Sequence, residues 1–187
     1  KAEDILKTAG EEWQEAMKKA SADDGLATDL RAFRNRCHFA IALSELCQKM
    51  DIGTACSRLS ECAEIGLQGV VDYLLASGTA SADTEIASAR WVILGLGKLG
   101  AGELNYSSDI DVIVLHQFAP NSSEESYDKQ SRHFIGLTRR LAKILSEDTR
   151  DGFGWRVDFR LRPDPAATPL SLSYAAAVSY YESTARS

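Results

Sequence analysis

Asp109 and Asp111 stand two residues apart at the head of a run, residues 109–115, whose Ile and Val content predicts a β-strand. Strand side chains alternate, so both carboxylates fall on the same side. Two carboxylates a few ångströms apart repel, and one takes up a proton unless a cation shares the site. Mg2+ or Mn2+ supplies such a cation, because these hard ions take oxygen ligands and commonly combine carboxylates with substrate phosphates. The pair therefore reads as a metal seat.

A third acid on a neighbouring strand would complete it. Residues 155–161 alternate, with Trp155, Val157, Phe159 and Leu161 on one face and Arg156, Asp158, Arg160 and Arg162 on the other. Asp158 is the candidate third ligand. Arg160 and Arg162 share its side, where their guanidinium groups could bind phosphate oxygens bidentately. Upstream, GLGKLG at residues 95–100 directly follows a predicted strand at residues 91–94. Gly97 and Gly100 let backbone approach a phosphate, and Lys98 adds a point charge.

GLGKLG also matches the dinucleotide-binding fingerprint GxGxxG, but the spacing argues against that use. Only residues 101–108 separate the last glycine from the acid-bearing strand, whereas a parallel crossover with its helix needs at least about ten to twelve. A ribose-binding carboxylate would also belong about 20 residues further on. A Walker loop is excluded because Leu99 follows Lys98 where Ser or Thr is required. His38 and His133 read as surface or satisfied core histidines on helices, and His116, closing the acid-bearing strand, is not taken as a ligand.

The elements that must position these residues fall into two parts. Residues 3–76 carry helical periodicity, first through Leu6, Ala9, Trp13, Ala16 and Ala20. A second helix shows two apolar faces, Phe39, Leu43, Leu46 and Met50 on one and Phe33, Cys37 and Ile41 on the other, which predicts burial on more than one side. A third contains Leu59, Ala63, Val70 and Leu74, with Thr54 as its expected N-cap. The small, polar stretch between Ala76 and Ala89 reads as a linker, dividing the chain into a helical segment, 1–85, and a catalytic domain, 86–187. A further helix should start at Ser122 and Ser123 and run to about Ser146, and Ser173 should cap a last one. The expected class is α+β: an N-terminal helical segment, then a small mixed sheet flanked by helices.

At 187 residues, 44% hydrophobic and 26% charged, the chain can bury a sizeable core. A net charge of −6 argues against nucleic acid as a partner. No apolar run approaches the roughly 20 residues of a membrane span, and a cytoplasmic location is expected. Cys37, Cys47, Cys56 and Cys62 lie in predicted helix without a CxxC pair, so reduced thiols are expected. The opening Lys1 and the helix-like end at Ser187 suggest a piece of something longer.

A glycine turn, a DxD about a dozen residues later and a third Asp on another strand together resemble the polymerase-beta-type nucleotidyltransferase superfamily. The stretches GLGKLGAGELNYSSDIDVIVL, DGFGWRVDFRLRP and PLSLSYAAAVSYYE are similar to the family of bifunctional glutamine synthetase adenylyltransferase/adenylyl-removing enzymes, and the wording ELNYSSDID with the Ala-rich tail ending in Tyr180 and Tyr181 is closer to its N-terminal, adenylyl-removing half. The resemblance implies a nucleotidyltransferase-type fold, with Asp109, Asp111 and Asp158 catalytic and binding metal, in all two Mg2+ or Mn2+ ions. It implies Gly97, Lys98 and Ser108 near the nucleotide. The implied substrates are adenylylated glutamine synthetase and phosphate, with an adenine nucleotide as product and a PII-type signalling protein as regulator. Two alternatives stay open: the forward transfer from ATP to tyrosine with pyrophosphate released, and an inactive nucleotide-sensing or partner-docking fragment. The chain departs from the family pattern at Asp164, Pro165, Ala166, Ala167 and Thr168, where Phe-Gly and a further glycine are usual, which bears on the flexibility of that loop.

Overall fold

The computed structural model describes residues 2–78 and 84–184. Three helices come first: α1 (Ala2–Lys19), α2 (Asp23–Leu46) and α3 (Ile52–Gly78). Then follow α4 (Thr84–Ser88), β1 (Arg90–Leu96), α5 (Gly97–Gly100), β2 (Ile110–Gln117), α6 (Glu124–Ser146), β3 (Val157–Asp158), β4 (Ser171–Ser173) and α7 (Tyr174–Thr184). The result is an α+β fold with a small mixed sheet. Of the linker expected between Ala76 and Ala89, residues 79–83 lie outside the described residues, and α3 and α4 extend into it from either side.

β2 is the central strand. β1 pairs antiparallel along one edge of it, while β3 and β4 share the other edge, both parallel, β3 at Ile110 and Asp111 and β4 at Val114 to His116. Its side chains are accordingly apolar on both faces, with Ile110, Val112, Ile113 and Val114 all buried. One buried cluster joins this sheet to the helices, from Trp13, Leu30 and Phe33 through Leu59 and Val70 to Trp91, Leu141 and Trp155.

Two expectations for the helices need correcting. On α2 only the side bearing Leu30, Phe33, Cys37 and Ile41 is buried, against α1, α3 and α6. Phe39, Leu43 and Leu46 are exposed, because those neighbours lie on one side of the helix and no described element covers the other. The cap of α3 is Asp51 rather than Thr54: its carboxylate accepts from the Thr54 backbone N–H at 3.0 Å and from the Thr54 hydroxyl at 2.7 Å, which holds the acid below its usual range. At α6 the expected cap is present, with the Ser123 side chain accepting from Ser126 N–H. All four cysteines are free thiols; Cys37 and Cys62 are buried and Cys47 is exposed.

Arg31 is a fully buried cation on α2. Its Nε donates to Gly152 O at 2.7 Å, its Nη1 to Ala27 O at 2.5 Å, and its Nη2 to Glu147 O at the end of α6. Lone carbonyls at a helix C-terminus favour a cation, so one side chain ties α6 and the following turn to the helical layer. Burial lowers the Arg31 pKa, and the neighbouring Glu147 charge acts against that. Arg31→Met leaves these carbonyls without a donor and should lower unfolding free energy by about 3 kcal/mol, read as a drop in the urea midpoint at unchanged slope.

His116 and His38 give the core a pH dependence. His116 is buried between Ser171 Oγ, 2.8 Å from Nδ1, and Ser131 Oγ, 3.3 Å from Nε2, with Phe134 stacked on the ring. Burial pushes its pKa from 6.5 down to about 4, and burial together with the Arg34 charge does the same to His38. Depressed folded-state values mean that the unfolded chain takes up protons first as pH falls. The contribution is therefore complete above pH 6.5 and is lost progressively toward pH 4. At pH 5 each histidine should have forfeited about 2 kcal/mol, so the urea midpoint should fall between pH 7 and pH 5, and less steeply in His116→Asn.

Candidate active site

The β2–β3 pairing sets the geometry of the site. Asp111 and Asp158 are direct partners across these parallel strands, so their carboxylates leave the sheet side by side. Asp109 precedes β2 by one residue, and the Ile110 N–H donates to Arg156 O at 2.8 Å, extending the pairing toward it. Arg160 donates from Nε to both oxygens of Asp158, at 3.0 and 2.8 Å, and from its backbone N–H at 2.8 Å. That bond holds the Asp158 carboxyl below its usual range. The Arg160 pKa is raised first by Asp158 and further by the charges of Asp109 and Asp111. Arg160 thus pairs with Asp158 and feels the charges of the other two acids.

A second arginine neutralises the other end of the cluster. Arg156 Nε donates to Asp109 Oδ1 at 2.6 Å and Nη2 to Ser107 O at 3.0 Å. The sequence showed Arg156 on the polar face with Asp158, yet only the fold reveals its partner, because Asp109 is 47 residues away.

The glycine turn lies against these acids. β1 and β2 run antiparallel with Leu96 opposite Asp111, as the short connection requires, and α5 is a single turn anchored by buried Leu99. Gly97 has φ +52°, and a Cβ there would stand 2.5 Å from Asp111 Oδ2. The position thus needs glycine twice over, for its left-handed backbone and for the carboxylate against it. Lys98 is exposed on this turn. Ser108 closes a tight turn, its hydroxyl accepting from Asn105 N–H at 3.2 Å.

The helices hold the loop that carries Asp109. Ser60 of α3 accepts the Leu104 N–H at 3.0 Å, and the Tyr106 hydroxyl donates to Glu45 of α2, with His38 edge-on to the tyrosine ring. These contacts left no motif in the sequence, since each joins residues more than 40 apart.

Strand β3 is much shorter than the expected run of residues 155–161. It ends at Asp158, and Arg162 turns away to donate to Phe159 O at 2.9 Å, Pro165 O at 2.7 Å and Thr168 O at 3.2 Å. Arg162 therefore braces the loop of residues 163–168, and Arg160 alone of the two stands among the acids. That loop is braced further by the Thr168 hydroxyl, which donates to Asp164 O at 2.8 Å.

Among the described residues no three Asp, Glu, His or Cys side chains close on one point as a metal cage. The reason is visible in the pairing: Asp109 and Asp158 have turned to guanidinium partners. The donor chemistry nonetheless suits a hard divalent ion, being carboxylate oxygens only, on adjoining backbone positions.

Comparison with known proteins identifies the family of the chain. A family model described as glutamate-ammonia ligase adenylyltransferase matches residues 2–187. Similar proteins include the bifunctional glutamine synthetase adenylyltransferase/adenylyl-removing enzymes of Agrobacterium fabrum, 35% identical over 96% of this chain and 19% of its own length, and Rhizobium meliloti, 40% identical over 90% and 18%. That of Brucella suis is 39% identical over 86% of this chain and 17% of its own. The chain spans less than a fifth of the length of these relatives.

The Gly97 contact yields a direct test. Gly97→Ala should displace the Asp111 carboxylate and lower turnover about 100-fold, the cost typical of a misplacement near 1 Å. Stability should fall by only about 1–3 kcal/mol for the strained backbone, read from the urea midpoint.

Proposed function

The chain belongs to the glutamate-ammonia ligase adenylyltransferase family, and on that premise we propose that it removes AMP from an adenylylated tyrosine of glutamine synthetase by phosphorolysis, releasing ADP. The observation that carries this reading is the β2–β3 register, which sets Asp111 beside Asp158 with Asp109 next to them. The words ELNYSSDID and the Ala-rich tail favour removal over the forward reaction. On the same reading the protein works in the cytoplasm under a PII-type signalling partner; among the described residues no helix is long and apolar enough to cross a membrane.

In the reaction an oxygen of hydrogen phosphate attacks the phosphorus of the tyrosyl-AMP ester and the bond to the tyrosine oxygen breaks. The phosphate joins AMP as the β-phosphate of ADP, and the proton of the nucleophile passes to the phenolate. Neither end needs strong acid–base help, because tyrosinate has a parent pKa near 10. The obstacle is charge, since an anion must approach an anionic centre. Asp109, Asp111 and Asp158 would hold Mg2+ or Mn2+, an ion pair that would supply positive charge to the reacting phosphoryl oxygens. Arg160 is already seated among the acids and can turn from Asp158 to a phosphate oxygen, as a guanidinium binds either anion. Gly97 keeps the turn free of side-chain bulk beside Asp111, and exposed Lys98 adds charge next to it.

Asp111→Asn keeps the shape of the side chain and removes one anionic ligand. It should abolish ADP release from adenylylated glutamine synthetase in magnesium and phosphate while the far-UV circular dichroism stays unchanged; undiminished ADP release would refute the role of the acids. With the unaltered protein, ADP that requires phosphate supports removal, and pyrophosphate formed from ATP would instead support the forward reaction.

A further inference from the structure

Beside the acids lies a cationic group that the reaction as described does not use. The guanidinium groups of Arg34, on α2, and Arg156 both lie over the ring of Phe153, their Cζ atoms 5.1 and 5.0 Å from its centroid. Arg156 has an anion, Asp109. Arg34 has none among the described residues: its Nη1 reaches only the amide oxygen of its neighbour Asn35, at 3.3 Å, and its Nε is buried without any partner. Burial and the Arg156 charge both lower its pKa.

Two like charges on one ring, one of them incompletely paired, form an arrangement that an anion would stabilise. The ring is fixed from both sides. Gly152 O accepts from Arg31, and Gly154 packs so tightly that a Cβ there would lie 2.9 Å from Leu145 O. His38, next to Arg34, is held neutral by burial and adds no competing charge. The Asn35 contact of Arg34 is solvent-exposed, so the outer end of the guanidinium is open to a ligand while its inner end is not.

We propose that Arg34 and Arg156, carried on Phe153, form a binding site for a phosphate dianion adjoining Asp109. Planar guanidinium forks match tetrahedral oxyanions bidentately, and Arg34 brings a positive charge that no carboxylate among the described residues offsets, whereas that of Arg156 is shared with Asp109. The occupant in this chemistry is inorganic phosphate before transfer and the β-phosphate of ADP after it, because the same phosphorus and its oxygens pass from one to the other. That assignment as the nucleophile's seat rests on the phosphorolysis reading above; the phosphate site itself rests on the arginines.

Isothermal titration with inorganic phosphate, ADP and AMP in magnesium buffer tests the site directly. Arg34→Gln should weaken phosphate and ADP at least tenfold and leave AMP, which lacks the β-phosphate, unchanged; Arg34→Lys, which keeps the charge without the fork, should fall between. Far-UV circular dichroism checks the fold of each variant, and Arg34→Lys carries the test if Arg34→Gln does not fold. Phosphate binding equal to that of the unaltered protein, or equal loss for AMP, or no phosphate binding by the unaltered protein at tens of millimolar, overturns the site. Kinetics separate the two readings. The KM for phosphate in ADP release should rise at least tenfold in Arg34→Gln with the KM for adenylylated glutamine synthetase unchanged. If the unaltered protein binds phosphate through Arg34 but makes no ADP, the phosphorolysis reading falls and the site stands.

Discussion

The pairing of two short stretches of strand, which brings acidic side chains out side by side, is the constraint around which this site is arranged. The β2–β3 register gives Asp111 and Asp158 no choice but to emerge together, and Asp109 follows from its place one residue before β2. Acidic side chains set this close attract cations. Arg156 and Arg160 stand at either end, and the chain that supplies Asp158 supplies both of them. Arg160 is almost entirely in solvent. Water screens its attraction to Asp158, so it can exchange this carboxylate for another anion at little cost. The acids are thus neutralised without being locked.

What fixes the acids is the layer of helices behind them. α3 takes the Leu104 N–H on Ser60, α2 takes Tyr106 on Glu45, and Arg31 of α2 holds the turn that precedes Trp155. Trp155 is buried, with its N–H bonded to Leu145 O at the end of α6 and its ring near Phe33. Ser146 completes the tie, donating to Trp155 O and accepting from Val157 N–H at 3.0 Å. A strand of two residues would be a poor platform alone, but β3 is clamped on its N-terminal side by the core. Precision at Asp158 is therefore a property of α2, α6 and the sheet together.

The sequence made some of this legible and concealed the rest for physical reasons. Alternation and β-branched content located β2, and chain length excluded a parallel crossover between Gly100 and Asp109; the fold answers with antiparallel pairing of β1 and β2. Alternation misled at residues 155–161. The pattern persists there, but β2 offers its second edge to β3 only at Ile110 and Asp111 and gives Val114 to His116 to β4, so Phe159 and Leu161 have no ladder to join. That is why Arg162, which has the right parity for the acids, faces carbonyls of its own loop. The second apolar face of α2 misled differently: periodicity reports which residues align, not whether anything covers them. Arg34, Phe153 and Glu45 carried no local signal, because their partners are remote in the chain.

Arg156 links these observations. It is the only arginine that touches both an acid of the cluster and the ring that carries Arg34, among the described residues. A guanidinium has five donors, and Arg156 commits Nε to Asp109 and one N–H of Nη2 to Ser107 O, so donors remain for an anion. An anion bound there would lie next to Asp109, where its negative charge is tolerable only if positive charge at the acids grows in step. The cluster of carboxylates and the pair of arginines are therefore electrostatically coupled through one side chain: whatever cation the acids accept makes the neighbouring anion easier to hold, and the reverse follows by linkage.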